Sequence, residues 1–324
     1  MRGCPVIGPI GVSCRRVHFP PSSIGTEFSR GGDQSLKLLQ RIFGRSLSPA
    51  WEIAPGAIIW KLQPTDGGII IGESRDVELK TLSLFAIRPA TGQILFSGLT
   101  LDEPWWIALE MTIGEIAILH RFPRPDMPNS IGATAIDCGT GQVLWSNDSI
   151  RVLCGIEEIA LAQRGETFDW HALALIDART GEILEEIGDN VERAQAFQRT
   201  CGTISGLRGW INSGELEDDD LRYSIIEEAA TRLLKERRGP LEVAEYGGYV
   251  VIGAHDRSKR SPEAMLANLV DAHLIVLQGD RPVVHEIVTR DAPGPSSDIF
   301  FIWNGMLIYI RDRRILLGIN LTEG

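Results

Sequence analysis

The sequence predicts an all-β fold, a β-propeller, on three observations: a repeated hairpin, its spacing and the strand pairs that precede it. Three segments, 84–96, 133–145 and 173–185, align without gaps as an apolar strand, a turn that ends in Thr-Gly and a second strand. The Thr-Gly pairs lie 49 and then 40 positions apart. Both intervals suit the four-stranded blade of a propeller.

The turn residues explain why each repeat forms a hairpin. Asp137 and Asp177 open the second and third turns, where a carboxylate can accept hydrogen bonds from the backbone amides ahead of it. Gly92, Gly141 and Gly181 follow the threonines and supply the positive φ that such a turn requires. Two weaker copies occur at 272–287 and 306–321.

A pair of apolar strands precedes each of the five hairpins, which predicts five four-stranded blades. The last blade lacks an outer strand, and residues 49–54 can supply it, because a ring closed by both ends of the chain has no open sheet edge. The propeller is expected at 49–324, with blades at about 57–101, 103–148, 150–188, 240–290 and 295–321 plus 49–54. An open β-sandwich with the same hairpins is the alternative.

Two segments fall outside the repeat. Residues 1–34 are rich in Gly, Pro and Ser, which predicts a disordered leader or sequence upstream of the true start, and 35–48 are predicted to form a short helix. Residues 189–239 interrupt the period, and an apolar stripe from Leu221 to Leu234 predicts one amphipathic helix of nearly five turns. We expect its stripe to pack on the propeller, with binding of a partner as the alternative.

Composition and cysteine use limit the compartment and the partners. The net charge of −11 argues against nucleic acid and anionic lipid as partners, and no apolar run is long enough for a membrane span. The five cysteines lack any Cys-x-x-Cys spacing and indicate a reduced, soluble, cytoplasmic protein. A poor export signal around Cys14 leaves a periplasmic location as the alternative.

The repeat resembles that of the quinoprotein-like (PQQ-type) β-propellers, in which a strand, Asp-x-x-Thr-Gly and a Leu-Trp strand recur. The run from Glu103 to Asp137, with further matches at 245–246, 266–268 and 300–302, is similar to a bacterial family of domains of unknown function. The resemblance covers about 50–321 and implies the propeller but no reaction. Quinone-dependent relatives carry an adjacent cysteine pair that this chain lacks, so we expect no cofactor.

Any site is expected on the face that carries the long loops, at the mouth of the central channel, because loops on rigid scaffolds carry function. Aromatic and arginine side chains there suit stacking and recognition of carboxylate or phosphate. No His, Asp or Glu set has metal-ligand spacing. The candidate ligand-binding residues are Trp105, Trp106, Arg121, Arg124, Asp126, Asp169, Trp170, His171, His255 and Arg257. For Trp105 and Trp106, burial between blades is the competing expectation.

The leading functional hypothesis is a non-catalytic propeller that binds a protein or a small ligand on the long-loop face. It rests on the lack of any catalytic constellation in the sequence. The alternatives are a hydrolase of glycosides or nucleotides that uses Asp102, Asp126 and Asp169, and an envelope assembly propeller lipoprotein, which would require export.

Overall fold

The computed structural model describes residues 47–122, 130–165, 172–204, 209–217, 220, 222–259 and 267–322. Its strands form five antiparallel sheets, which confirms the predicted all-β propeller. We number these sheets as blades 1 to 5 along the chain. The predicted leader and most of the predicted helix at 35–48 lie outside the described residues.

The first three blades each contain four strands in sequence order, with the innermost strand first. Blade 1 contains β2 (Ile58–Pro64), β3 (Ile70–Asp76), β4 (Thr81–Arg88) and β5 (Gln93–Leu99). Blade 2 contains β6 (Ile107–Ile113), β7 (Ile116–Arg121), β8 (Ile131–Asp137) and β9 (Val143–Asn147). Blade 3 contains β10 (Ile150–Ile156), β11 (Ile159–Arg164), β12 (Leu173–Asp177) and β13 (Ile183–Gly188).

Blades 4 and 5 each have a fifth strand. Blade 4 contains β15 (Gly214–Glu215), β16 (Arg237–Tyr246), β17 (Tyr249–Arg257), β18 (Val270–Gln278) and β19 (Arg281–Ala292). Blade 5 contains β14 (Trp210–Asn212), β20 (Phe300–Trp303), β21 (Met306–Arg311), β22 (Ile315–Asn320) and β1 (Trp51–Ile53).

The ring closes through β1, as the sequence predicts. Trp51, Glu52 and Ile53 pair with Gly318, Leu317 and Leu316, so one sheet contains strands from both ends of the propeller sequence. The outer edge of blade 5 is therefore covered by a strand from the start of the described chain.

Buried apolar clusters fill the spaces between neighbouring blades. Leu84 of blade 1 and Leu109 of blade 2 belong to one such cluster, and Ile118 and Val152 join blades 2 and 3 in another. Corresponding clusters join blade 4 to blade 5 and blade 5 to blade 1. Packing of this kind supplies most of the stabilisation of the ring.

The insertion between blades 3 and 4 differs from the predicted single helix. It contains two helices, α1 (Val191–Ile204) and α2 (Tyr223–Leu233), together with β14 and β15. Helix α2 has 11 residues, not nearly five turns, because β16 already begins at Arg237. Helix α1 was missed because its mixed polar sequence has only a weak apolar stripe.

The two helices cover facing surfaces of blades 3 and 4. Ala194, Phe197 and Cys201 of α1 pack on blade 3, whereas Ile226 and Ala230 of α2 pack on blade 4. Blades 3 and 4 share none of the buried clusters within the described part of the chain. The insertion thus occupies the place where these two blades would otherwise meet.

The same insertion sends a short segment to the inner side of the ring. Strand β14 pairs with β20, the inner strand of blade 5, and β15 pairs with β16, the inner strand of blade 4. The ring of Trp210 stacks on that of Phe301, with 4.2 Å between the ring centroids. Residues 210–215 therefore occupy the inner sheet edges, where the sequence suggested only a channel.

Candidate functional site

A group of aromatic and cationic side chains lies where blades 5, 1 and 2 meet on the long-loop face. We call Trp60, Arg75, Trp105 and Arg313 the tryptophan–arginine cluster. Arg75 lies over the rings of both Trp60 and Trp105, 5.6 and 5.0 Å from their centroids. The guanidinium of Arg313 also lies over the ring of Trp60, 5.9 Å from its centroid. These distances are in the range of cation–π contacts.

Trp60 reaches this position because β2 contains a bulge. The register of β2 against β3 shifts between Ile59 and Lys61, which leaves the residue between them outside the regular pairing. The side chain of Trp60 is 49% exposed. Tryptophan is enriched at protein interfaces, so this exposed indole is a candidate contact for a partner.

Arg75 is held rigidly by a carboxylate and two carbonyl groups. Its Nε donates to Oε1 of Glu73 at 2.5 Å, and its two terminal nitrogens donate to the carbonyl oxygens of Trp105 and Ile107 at 3.1 and 2.6 Å. Glu73 is fully buried, and its Oε2 accepts from the Leu109 amide at 2.7 Å. All three nitrogens of the Arg75 guanidinium therefore donate hydrogen bonds, which fix the group in place. The rings of Trp60 and Trp105 pack against this fixed guanidinium.

The backbone of Arg313 adopts an unusual conformation. It lies in the turn between β21 and β22 with a φ of 58°, the left-handed region that costs energy for a residue with a side chain. This conformation lets its carbonyl oxygen accept from the Ile59 amide at 2.8 Å. Within the described residues Arg313 forms no salt bridge, so its charge is available to an anionic group.

The structure changes the expectation for Trp105 and Trp106. Both lie in the turn before β6, where their amides donate to Oε1 of Glu103 at 3.0 and 2.8 Å. Burial between blades is wrong for this pair, because Trp105 is half-buried against Arg75 and Trp106 is 41% exposed. Trp106 follows Trp105 directly in this turn, and its backbone carbonyl accepts from the Phe122 amide at 2.8 Å.

The remaining candidates that the structure describes lie in different blades. Arg121 pairs with Ile107 across β6 and β7, next to Trp106, and forms a salt bridge with Asp148. Arg257 lies at the end of β17 in blade 4, with Nη1 3.2 Å from Oε1 of Glu236. The other five, which include two of the proposed hydrolase carboxylates, lie outside the described residues: Arg124, Asp126, Asp169, Trp170 and His171.

His255 is a buried blade contact, not a surface group. It is 2% exposed, and its Nε2 accepts at 3.2 Å from the amide of Ser296, in the segment that connects blade 4 to blade 5. Burial, followed by the neighbouring His273, lowers its pKa to about 4. The ring is therefore neutral at pH 7.

The position of His255 repeats in other blades, a feature that sequence reasoning missed. Glu73, His120 and Gln163 occupy the equivalent place on the second strand of blades 1, 2 and 3 and are buried. His120 Nε2 accepts from the Val152 amide of blade 3 at 3.2 Å, just as Glu73 accepts from Leu109 of blade 2. The sequence signal that could have revealed this feature is a polar residue in an otherwise apolar strand, repeated about once per blade.

Two further properties of the described residues concern the binding of metal ions and the crossing of a membrane. Within the described residues, no group of three or more His, Cys, Asp or Glu side chains is placed to hold a metal ion. No helix in the described part of the chain is long and apolar enough to cross a membrane. The fold and the exposed cluster together define a β-propeller with an aromatic and cationic surface at one end.

Comparison with known sequences gives one family. Residues 64–145 match the family described as a domain of unknown function (DUF4905), a region that spans blade 1 from the end of β2 and most of blade 2. The match covers less than half of the chain. No curated protein matches the sequence.

Comparison with solved structures finds several matches at low identity and low TM-score. BamB from Moraxella catarrhalis is 9% identical, with 82% of this chain and 84% of that chain covered and a TM-score of 0.28. A europium-containing methanol dehydrogenase is 12% identical, with 86% of this chain and 52% of that chain covered and a TM-score of 0.25. This chain thus spans about half the length of that protein. The β-propeller domain of the Trilobed protease from Pyrococcus furiosus is 8% identical, with 78% and 76% covered and a TM-score of 0.20. Likenesses at this level carry no argument about function.

Proposed function

We propose that this protein is a non-catalytic β-propeller that binds a protein partner on its long-loop face through the tryptophan–arginine cluster and Trp106. The observation that carries the proposal is the exposed indole of Trp60 beside an arginine fixed by a buried carboxylate. A second exposed indole, Trp106, lies in the turn that holds Trp105. Tryptophan and arginine contribute most of the binding energy at many protein interfaces. The propeller supplies the rigid support that such a surface needs.

The chemistry of the surface favours a partner segment with an apolar side chain next to a carboxylate. The apolar group would pack on Trp60 and Trp106, and the carboxylate would face the guanidinium of Arg313. Arginine binds carboxylates through paired hydrogen bonds, and charge complementarity of this kind orients the partner as well as attracting it.

Quantitative affinity purification from the native host, with chemical cross-linking, tests the proposal. We expect Trp60→Ala and Trp106→Ala to lose the same partner, each by about tenfold or more. The matched control is Leu184→Ala, which removes a 55% exposed side chain from the outer strand of blade 3. Recovery of every partner at equal yield by all variants would reject the long-loop surface as the binding site.

Fractionation in the same experiment tests the predicted cytoplasmic location. Recovery with cytoplasmic markers supports it, whereas recovery in the periplasm or the membrane pellet with a shortened N-terminus supports the exported alternative.

A further inference from the structure

Two cysteines meet where helix α1 packs on blade 3. Cys154 lies on β10, and Cys201 lies near the end of α1. The two thiols are within hydrogen-bonding reach of each other, and both are free. Residues 47 positions apart in sequence are thus brought together by the contact between the insertion and the propeller.

The surroundings of the pair hold both thiols in place. Cys201 is buried with Phe197 and Ala194 of α1 against Leu161 and Leu173 of blade 3, and Cys154 packs at the edge of the same cluster. Cys154 is half-buried, whereas Cys201 is 8% exposed. A small oxidant can therefore reach Cys154 first.

The third described cysteine provides an internal comparison. Cys138 is fully buried in the cluster between blades 1 and 2, and burial strongly raises the pKa of its thiol. No other cysteine of the described residues belongs to this cluster. The paired arrangement of Cys154 and Cys201 is thus distinct from simple burial of a thiol.

We propose that Cys154 and Cys201 are an oxidative modification site, at which a low-molecular-weight disulfide such as oxidised glutathione converts the two thiols into a disulfide. The Cys154 thiolate attacks one sulfur of the oxidant, forms a mixed disulfide and releases one thiolate, which takes up a proton. The Cys201 thiolate then attacks the Cys154 sulfur and releases the second thiolate. Two protein thiols are oxidised, and one oxidant disulfide is reduced to two thiols.

The environment makes this reaction slow at neutral pH. Burial, and then the hydrogen bond with Cys201, raises the pKa of Cys154 to about 12, so that little of the reactive thiolate is present. The rate should rise with pH throughout the range in which the protein is folded.

The Cys154–Cys201 disulfide would change how firmly helix α1 is attached to blade 3. Helix α1 belongs to the insertion that separates blades 3 and 4 and continues into β14 and β15 on the inner side of the ring. A covalent link from α1 to β10 would hold the start of this insertion against blade 3. It would suppress local opening of α1, which packs on the blade through few apolar side chains.

Peptide mapping of the full chain without reductant tests the proposal. The background carries Cys4→Ser and Cys14→Ser, and the probe is oxidised glutathione at pH 8. We expect a single cross-linked peptide pair that joins Cys154 to Cys201, absent in Cys201→Ser and unchanged in the matched control Cys138→Ser. In Cys201→Ser, the glutathione adduct should accumulate on Cys154.

Hydrogen exchange gives the second readout. Oxidation should slow exchange of the α1 amides at least about tenfold, without a comparable change in blade 2. The proposal is overturned if the folded protein gives only glutathione adducts, gives a disulfide that involves Cys138, or shows no oxidation while thiol reagents modify Cys154. Formation of the bond without slower exchange in α1 would overturn the structural consequence.

Discussion

The indole Nε1 of Trp51 donates a hydrogen bond to the carbonyl oxygen of Pro89 at 2.8 Å. Trp51 belongs to the outer strand of blade 5, and Pro89 lies in the Thr-Gly turn of blade 1. Trp145 repeats the contact two junctions further along, between blades 2 and 3, where its Nε1 donates to the carbonyl of Ala178 at 2.9 Å. The contact between blades 5 and 1, which closes the ring, is therefore of the same kind as the contact between blades 2 and 3.

Trp51→Ala should destabilise the protein by about 3 kcal/mol, because it removes both this hydrogen bond and apolar contact at the closure. Trp51→Phe should cost only about 1 kcal/mol, since Phe96 fills the equivalent place beside Gly141. Urea unfolding measures both. Trp106→Ala is the control and should cost less than half as much as Trp51→Ala; equal losses would contradict a special role of Trp51.

Gly92→Ala should be more harmful than Gly98→Ala, although both glycines have φ values near 70°. A Cβ at Gly92 would lie 2.4 Å from the Trp51 side chain, whereas one at Gly98 would meet nothing within 4 Å. We expect a loss of about 1 kcal/mol at Gly98 from backbone strain alone and about 3 kcal/mol at Gly92. Thermal unfolding distinguishes them, and equal shifts would show that Trp51 moves freely out of the way.

Glu73→Ala should cost about 3–5 kcal/mol, because it leaves Arg75 and the Leu109 amide without their buried partner. Glu73→Gln keeps an acceptor for the amide and should lose about half of that. Denaturant unfolding gives the free energies, and hydrogen exchange at Leu109 gives an independent readout. Equal losses in the two variants would argue against the amide hydrogen bond.

The stability should fall as the pH drops from about 6.5 to about 4. Burial, then Arg151 and Lys61, lowers the pKa of His120 to about 4, whereas an unfolded histidine binds a proton near 6.5. The unfolded state therefore binds more protons between these values, and acid favours unfolding by up to about 3 kcal/mol per such histidine. Below about pH 4 the folded state is protonated too, and this contribution levels off.

His120→Gln tests the assignment, since Gln163 already occupies the equivalent position in blade 3. The variant should have nearly the same stability as the wild type at pH 7.5 and exceed it at pH 5. Chemical unfolding across this range is the measurement. An unchanged slope would place the pH dependence elsewhere, for instance at His255.

The repeats made much of the fold predictable. The Thr-Gly turns at Gly92, Gly141 and Gly181 all have positive φ, and Asp137 and Asp177 accept the amide hydrogen bonds expected of them. Closure by residues 51–53 followed from the missing outer strand. These features are local, or follow from sheet edges that must be paired, and so leave a signal in the sequence.

The candidate site was less predictable, because its members come from three blades. Trp60 depends on a bulge in β2, and Arg313 depends on a turn with positive φ that contains no glycine. The insertion was also misjudged, because β14 and β15 are short strands that exist only through pairing with β20 and β16. Such elements are set by tertiary contacts and have little local signature.

The shared sheet of blade 5 sets the order of events during synthesis. Trp51 leaves the ribosome before its partner Gly318, which follows only after 266 further residues. Blades 1 to 3 can form while translation continues, since their strands pair with sequence neighbours. Until β22 emerges, the edge that β1 will cover does not exist, so a chaperone that shields Trp51 and its neighbours would act in that interval.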